Sequence, residues 1–308
     1  MKTDPGAIRA RIISGVGGRY TVDVFNEDGT FSREDNLFAK GAFRHEKIKP
    51  LPGDCVTLRS DETGLFITGI EPRKNMLIRP AVANIDVLYI TVSCRSPDPV
   101  AGLADKITVL CEKNSIRPVI VVTKSELDPD AADMISELYR KCGYDCFRVS
   151  SIEHTGIDAL RGYSDEHGYA VSAFCGASGV GKSTLLNALF PDLNCETGDI
   201  SEKIGRGKNT TRTVTLYSVG EGRYIADTPG FSLLDFERFD FCKKDELPYL
   251  FPEFRPYLCR CKYTKCSHTK EDGCLVRKAV ADGAIEKSRY ESYLSLYDDI
   301  KDKKDWQI

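Results

Sequence analysis

The chain has 308 residues, of which 41% are hydrophobic and 29% charged, and its formal net charge is −3. Those proportions exclude a disordered or collagen-like chain, and the near balance of charge excludes a uniformly basic nucleic-acid coat. The longest apolar stretch, Ala81 to Cys94, is interrupted by Asn84 and Asp86 and is too short for a membrane span, while Asp4, Arg9 and Arg11 stand where a signal peptide needs an apolar run. A cytoplasmic protein of two or three domains, with no membrane partner, is expected.

Residues 1–72 read as short β-segments, among them Arg19–Phe25, Cys55–Arg59 and Leu65–Ile70. Turn signals at Gly17-Gly18, Asp28-Gly29, Pro52-Gly53 and Gly64 punctuate them. This texture predicts a small closed β-barrel, with the OB-fold as one candidate. Lys40, Arg44, His45, Lys47 and Lys49 lie close to Phe38 and Phe43. Basic residues interleaved with aromatics on a barrel would suit RNA, and a solvated loop over two core phenylalanines is the competing reading.

From residue 81 the texture changes. Apolar runs at Ile85–Ser93, Pro118–Thr123, Cys146–Ser150, Ala170–Cys175, Thr213–Val219 and Arg223–Ala226 read as strands. Helical patterns at Leu103–Lys113, Ala131–Lys141, Gly156–Tyr163 and Lys182–Phe190 alternate with the early ones. Alternation of this kind predicts an α/β domain over 73–235: a largely parallel sheet, covered on both faces, that binds ligands at its strand carboxyl ends. Residues 236–308 are charged and aromatic, then cysteine-rich, and close with helical stretches near Leu275–Asp282 and Ala284–Lys301. They read as a third, helical domain.

Gly176-Ala177-Ser178-Gly179-Val180-Gly181-Lys182-Ser183, followed by Thr184, fits G-x-x-x-x-G-K-[ST] between a strand and a helix, the context that the motif requires. Its glycines let backbone N–H groups turn in around phosphates, and the helix start adds positive potential. Lys182 is expected to reach the β- and γ-phosphates, and Ser183 to ligate Mg²⁺. Downstream, Asp227-Thr228-Pro229-Gly230 ends a strand and fits D-x-x-G. Asp227 would hold Mg²⁺ through water, and the Gly230 N–H would sense the γ-phosphate. The polar stretch Gly198–Arg212 lies between the two motifs. A threonine there can complete Mg²⁺ coordination when GTP is bound; Thr211 is favoured, with Thr210 next.

Base-reading elements precede the phosphate loop. Thr123-Lys124-Ser125-Glu126 ends a strand and resembles N-K-x-D, in which the lysine stem lies along the base and the carboxylate accepts from guanine N1 and N2. Ser150-Ser151 resembles the S-A element that approaches guanine O6. An ordinary GTPase carries both after the phosphate loop, so the order here is a circular permutation that keeps each element at a strand end.

With these motifs the chain resembles the circularly permuted RsgA (YjeQ) GTPases. The resemblance extends over Leu77-Ile78-Arg79-Pro80, Ala83-Asn84-Ile85-Asp86, Gly176–Thr184, Arg206–Arg212 and Asp227–Phe231. It implies an N-terminal OB-fold, a central GTPase domain using GTP, GDP and Mg²⁺, and a C-terminal zinc domain. It further implies binding to the 30S subunit and its 16S rRNA, GTP hydrolysis stimulated by that subunit, and release as a late assembly step. Two departures stand out. Glu126 and Thr123 replace Asp and Asn in the base loop, which lowers the expected discrimination against ATP. Asn209 and Thr213 occupy positions where many relatives carry histidines, so no catalytic histidine is carried over there. Phe231 and Ser232 stand where Ras-like enzymes place a water-positioning glutamine, which predicts slow intrinsic turnover.

Twelve cysteines remain. Seven, spread singly from Cys55 to Cys195, read as small buried hydrophobes, and Cys242 receives no role. Cys261, Cys266, His268 and Cys274 supply three thiolates and one imidazole, a set that suits tetrahedral structural Zn²⁺, with Cys259 competing for the place of Cys261. Nearby Lys262, Lys265, Lys270, Arg277 and Lys278 could face RNA. Long heptads are absent, and a monomer is expected. The alternatives are a nucleotide-gated RNA-binding module with incidental hydrolysis and an ATP-using P-loop enzyme.

Overall fold

The computed structural model describes residues 7–26, 28–40, 49–62, 64–78, 80–99, 101–193, 214–220, 222–227 and 242–303. Strands β1 (Ile8–Val16), β2 (Arg19–Phe25), β3 (Phe31–Ala39), β4 (Cys55–Asp61) and β5 (Gly64–Ile70) form a closed barrel in the order β1-β2-β3-β5-β4. Neighbours are antiparallel except β3 and β5. Alternate residues point inward, so Ala10 and Ile12, then Val56 and Leu58, meet Val22 and Ile67 in a fully buried interior. The expected OB-type barrel is present. Arg73 clamps its exit through two bonds to the buried Asp54, at 2.7 and 2.8 Å.

A short hairpin, β6 (Met76–Ile78) and β7 (Ala81–Ala83), leads to the α/β domain. There follow β8 (Val87–Ser93), α1 (Ala101–Lys113), β9 (Arg117–Thr123), α2 (Pro129–Lys141), β10 (Asp145–Arg148), α3 (Ile157–His167), β11 (Val171–Gly176), α4 (Lys182–Leu189), β12 (Thr215–Ser218) and β13 (Tyr224–Asp227). The sheet order is β10-β9-β8-β11-β13-β12, parallel throughout except for the edge strand β12. β8 and β11 are buried along their whole length, which is why they are mostly apolar rather than alternating. Helices α1 and α2 cover one face through Ala104, Ile107, Ala132 and Tyr139; α3 and α4 cover the other through Ile157, Leu160, Leu185 and Leu189. Asp128 starts α2 by accepting the Ala131 N–H at 3.0 Å, with Pro129 in the first turn.

The C-terminal part holds two 3₁₀ turns, Leu247–Leu250 and Pro252–Tyr257, then α5 (Leu275–Ala281) and α6 (Lys287–Ile300). Its core joins Cys242, Leu247, Phe251, Phe254, Val276 and Tyr293. Cys242, given no role by the sequence, is fully buried there. Cys94, Cys111, Cys142, Cys146 and Cys175 are buried as expected, Cys55 is only partly so, and Cys195 lies outside the described residues.

The C-terminal part docks on α1 through a buried ion network. Arg289 is wholly enclosed and donates to Asp105 at 2.6 Å, Glu253 at 2.7 Å and Thr108 at 3.2 Å. Its guanidinium lies 4.8 Å from the Phe251 ring centroid. Asp105 also accepts from the Tyr139 and Ser292 hydroxyls. The barrel, in turn, lies against β12 and β13, where Arg11 faces the ring of Tyr224 at 5.3 Å. Among the described residues no helix is long and apolar enough to cross a membrane.

Candidate functional site

The carboxyl ends of the parallel strands share one edge of the sheet: Ser93 is level with Thr123, and Thr91 with Gly176. β13 runs parallel to β11 beside it, so Asp227 ends at the same edge. The phosphate loop leaves β11 at Gly176, whose φ is +148°, and a Cβ there would collide with the Thr91 carbonyl and hydroxyl. Gly181, at φ +95°, begins α4 without any side-chain cap. The first N–H groups of α4 are therefore left for an outside acceptor. Lys182 folds its Nζ back onto the Gly176 and Ala177 carbonyls, 2.8 Å from each. Ser178, Gly179 and Thr184 are exposed, Ala177 and Ser183 half-buried, and Val180 buried. Ser183 opens the helix at the edge where the backbone of β13 ends at Asp227, and a hydroxyl and a carboxylate are residue types whose hard oxygens suit Mg²⁺. Thr210, Thr211 and Gly230 lie outside the described residues.

The base loop meets the phosphate loop directly. Thr123 is buried, and its hydroxyl donates to the Val180 carbonyl at 2.6 Å. Thr123, read from the sequence as a loss, is thus the tether between the two loops. Lys124 takes φ +56°, its ammonium donates to the Ser96 carbonyl, and its Cε lies 3.9 Å from where a Cβ of Gly181 would stand. The Cys94 thiol supports this loop from below by donating to the Lys124 carbonyl at 2.9 Å. Burial pushes the thiols of Cys94 and Cys175 up, so neither is a thiolate near neutral pH. Ser125 N–H donates to the Val149 carbonyl at 3.2 Å, which ties the loop to the end of β10. One carboxylate oxygen of Glu126 is enclosed and has no hydrogen-bond partner among the described residues. An enclosed acceptor without a donor, beside a phosphate loop, fits a base that presents N–H groups. Ser150 is buried and spends its hydroxyl on the Glu153 N–H at 3.1 Å, shaping the turn, while Ser151 is half-buried.

Far from this edge, Cys261, Cys266, His268 and Cys274 bring four donor atoms within 4.8 Å of one another. His268 Nδ1 lies 3.7 Å from Cys261 Sγ and 3.4 Å from Cys274 Sγ. Ligands about 2.3 Å from a tetrahedral zinc stand about 3.7 Å apart, so the donor set fits that metal. Cys259 is exposed and instead lies 3.4 Å from the Tyr249 hydroxyl, so the cluster includes Cys261 and leaves Cys259 out. The Leu275 N–H donates to Cys261 Sγ at 3.3 Å, and the Tyr290 and Tyr293 hydroxyls hold the His268 and Ser267 carbonyls at 2.8 and 2.6 Å. Burial and the neighbouring thiols push Cys266 up to about 12, and burial pushes His268 down. Without a cation this cluster disfavours thiolates; a bound cation reverses that preference. Lys262, Lys265, Lys270, Arg277 and Lys278 are all exposed around it.

The barrel carries a feature that local sequence does not announce. Arg19 pairs with Phe38, Phe38 with Phe66, and Phe66 with Arg59, forming one row across four strands. Arg19 lies 4.8 Å from the Phe38 ring centroid and Lys40 3.7 Å from that of Phe66. Lys49 is exposed, whereas Arg44, His45, Lys47 and Phe43 lie outside the described residues. The competing reading, in which Phe38 is a core residue, does not hold for it, because it is 53% exposed.

Residues 70–237 match the family described as RsgA GTPase. A small ribosomal subunit biogenesis GTPase RsgA of Geobacillus sp. (strain WCH70) is 44% identical over 270 residues, 86% of this chain and 90% of the relative. Its counterpart in Halalkalibacterium halodurans is 40% identical over 298 residues, covering 95% and 97%. Among solved structures, YjeQ from Thermotoga maritima superposes with a TM-score of 0.81 at 32% identity, covering 97% of this chain and all of that one. YloQ, described as a circularly permuted GTPase, gives 0.77 at 32% identity, covering 99% and 98%. The strand order, the meeting of the two loops and likeness over nearly the full length lead to one conclusion: the chain belongs to the RsgA GTPase family and is a GTP-hydrolysing enzyme.

Proposed function

We propose that this chain is a ribosome-biogenesis GTPase that binds the 30S subunit and its 16S rRNA, hydrolyses GTP to GDP and phosphate there, and then dissociates. The observation that carries the nucleotide half is the Thr123–Val180 bond, which joins two loops read independently as base and phosphate elements. The names of the relatives, small ribosomal subunit biogenesis GTPases, support the partner. The Arg19–Phe38–Phe66–Arg59 row supports RNA contact by residues 1–72, since aromatic rings flanked by cations suit unpaired bases and phosphates.

Within 73–235 the residues divide the work. Glu126 accepts from the base, Lys124 lies along it, and Ser150-Ser151 closes the far side. Gly176 to Thr184 wrap the phosphates, and Lys182 leaves its carbonyls to neutralise the β- and γ-oxygens. Ser183, Thr211 and Asp227 are assigned to Mg²⁺, and the Gly230 N–H to the γ-phosphate. The ion supplies charge neutralisation when bound. Phe231 and Ser232 lack a glutamine's ability to orient water, so the subunit completes that geometry. In 236–308, Cys261, Cys266, His268 and Cys274 hold a structural zinc with no open position. The protein works as a monomer in the cytoplasm.

The test is GTP turnover alone, with 30S and with 50S subunits, with ATP in parallel. Stimulation by 30S alone with GTP preferred is the expected result. Subunit binding that follows nucleotide state without stimulation would instead make the chain a nucleotide-gated RNA binder, and faster ATP turnover would overturn the guanine assignment.

A further inference from the structure

The β12–β13 hairpin has four residues on each strand, and β12 is the outer strand of the sheet. β11 pairs with one side of β13, but the outer side of the four-residue β12 has no strand partner among the described residues and needs a packed neighbour there. The barrel is that neighbour: β1 runs beside β12, and two side chains from the barrel fix the hairpin. Phe31, at the start of β3, covers the turn so closely that a Cβ on Gly222 would stand 2.6 Å from its Cζ. Gly222 also holds φ +71°, in the left-handed region. Arg11 lies between the Phe25 and Tyr224 rings, 6.0 and 5.3 Å from their centroids. Its Nε and Nη1 are enclosed without a hydrogen-bond acceptor among the described residues, so the ring faces are the electrostatic partners of those two atoms. Tyr224 is itself buried, and it opens the strand that Asp227 ends. Three residues of extended chain, about 10 Å, separate the barrel contact from that strand end.

We propose that Arg11, Phe31 and Gly222 are positioning residues for the magnesium side of the nucleotide site. They fix the height of β13 and so the place of Asp227. A load on the barrel therefore reaches the site along one strand. This rests on the reading of Asp227 as a magnesium-side group.

The experiment uses the full chain and reads the affinity of a fluorescent GTP analogue across a Mg²⁺ titration. D227N tests the underlying reading and must raise the Mg²⁺ midpoint. G222A and R11M are expected to raise it about fivefold, the lower end of coupling between distant sites, while affinity in magnesium-free buffer stays at the parent value. F31A alone is expected to raise the midpoint too, because it takes away the cover on the turn, and added to G222A it is expected to raise it little further, since both break one contact; R11K is expected to lie between parent and R11M. Circular dichroism confirms folding; F31L replaces F31A if the latter does not fold. No shift in D227N overturns the reading of Asp227. A shift in D227N with G222A and R11M within twofold of the parent overturns the positioning role. A G222A effect that F31A does not share, or to which F31A adds in full, assigns that effect to turn strain and overturns the Phe31 contact as its cause.

Discussion

Glu126→Gln isolates the base contact. The substitution keeps side-chain volume and removes the charge from a carboxylate with one oxygen that is enclosed and unpartnered among the described residues. A hydrogen bond to a charged acceptor contributes about 1.5–3 kcal/mol. At about 1.4 kcal/mol per decade, the expected loss of GDP affinity is about 10- to 150-fold. That enclosed oxygen makes no internal hydrogen bond among the described residues, so the thermal midpoint of the nucleotide-free protein should not fall. The assay is equilibrium competition of GDP, IDP and ADP against a fluorescent nucleotide at fixed Mg²⁺. IDP lacks the N2 amino group, so the parent should prefer GDP to IDP and the variant should distinguish them much less. Unchanged GDP affinity with an unchanged GDP-to-IDP ratio would refute the placement of the base against Glu126.

Arg289→Met removes the guanidinium that pairs with both Asp105 and Glu253, two carboxylates that are almost wholly enclosed. Breaking a buried ion pair from one side costs about 3–5 kcal/mol, so denaturant melts should lose that much, and a loss under 1 kcal/mol would contradict the reading. Cys266→Ala removes one of four donors, so bound zinc measured by elemental analysis should fall below one per chain and the C-terminal part should lose protease resistance, while Cys259→Ala should leave both unchanged.

Elements with a strong local signal were legible. β2 runs over Arg19–Phe25 as its alternation indicates, and α1 and α2 begin two residues earlier than their periodicity alone shows. The strand expected over Cys146–Ser150 ends instead at Arg148, because Ser150 turns out to bridge Thr155. The phosphate loop was legible because its backbone needs glycine at fixed offsets. The role of Thr123 was not, since a hydroxyl's partner 57 positions away leaves no trace in its own neighbourhood. The barrel row was missed for a similar reason: Arg19, Phe38, Phe66 and Arg59 become neighbours only through strand register. The choice between Cys259 and Cys261 stayed open because spacing alone does not orient a thiol. Packing decides it, turning Cys261 towards His268 and Cys259 towards Tyr249.

The bond from Arg289 to Asp105 spans 184 positions of chain. Chains are made from the N-terminus, and domains fold as units in that order. When α1 first packs on the sheet, Asp105 has the Tyr139 hydroxyl as a partner within the α/β domain, and the arginine that answers its charge is not yet made. The counter-charge arrives only with α6, after the whole α/β domain has been made. Until then the side of Asp105 that Arg289 and Ser292 cover stays open to water, and α1 lacks the elements that pack on its outer face. α6 thus covers a charged patch that the α/β domain, made first, leaves open, and docking of the C-terminal part is the event that neutralises it.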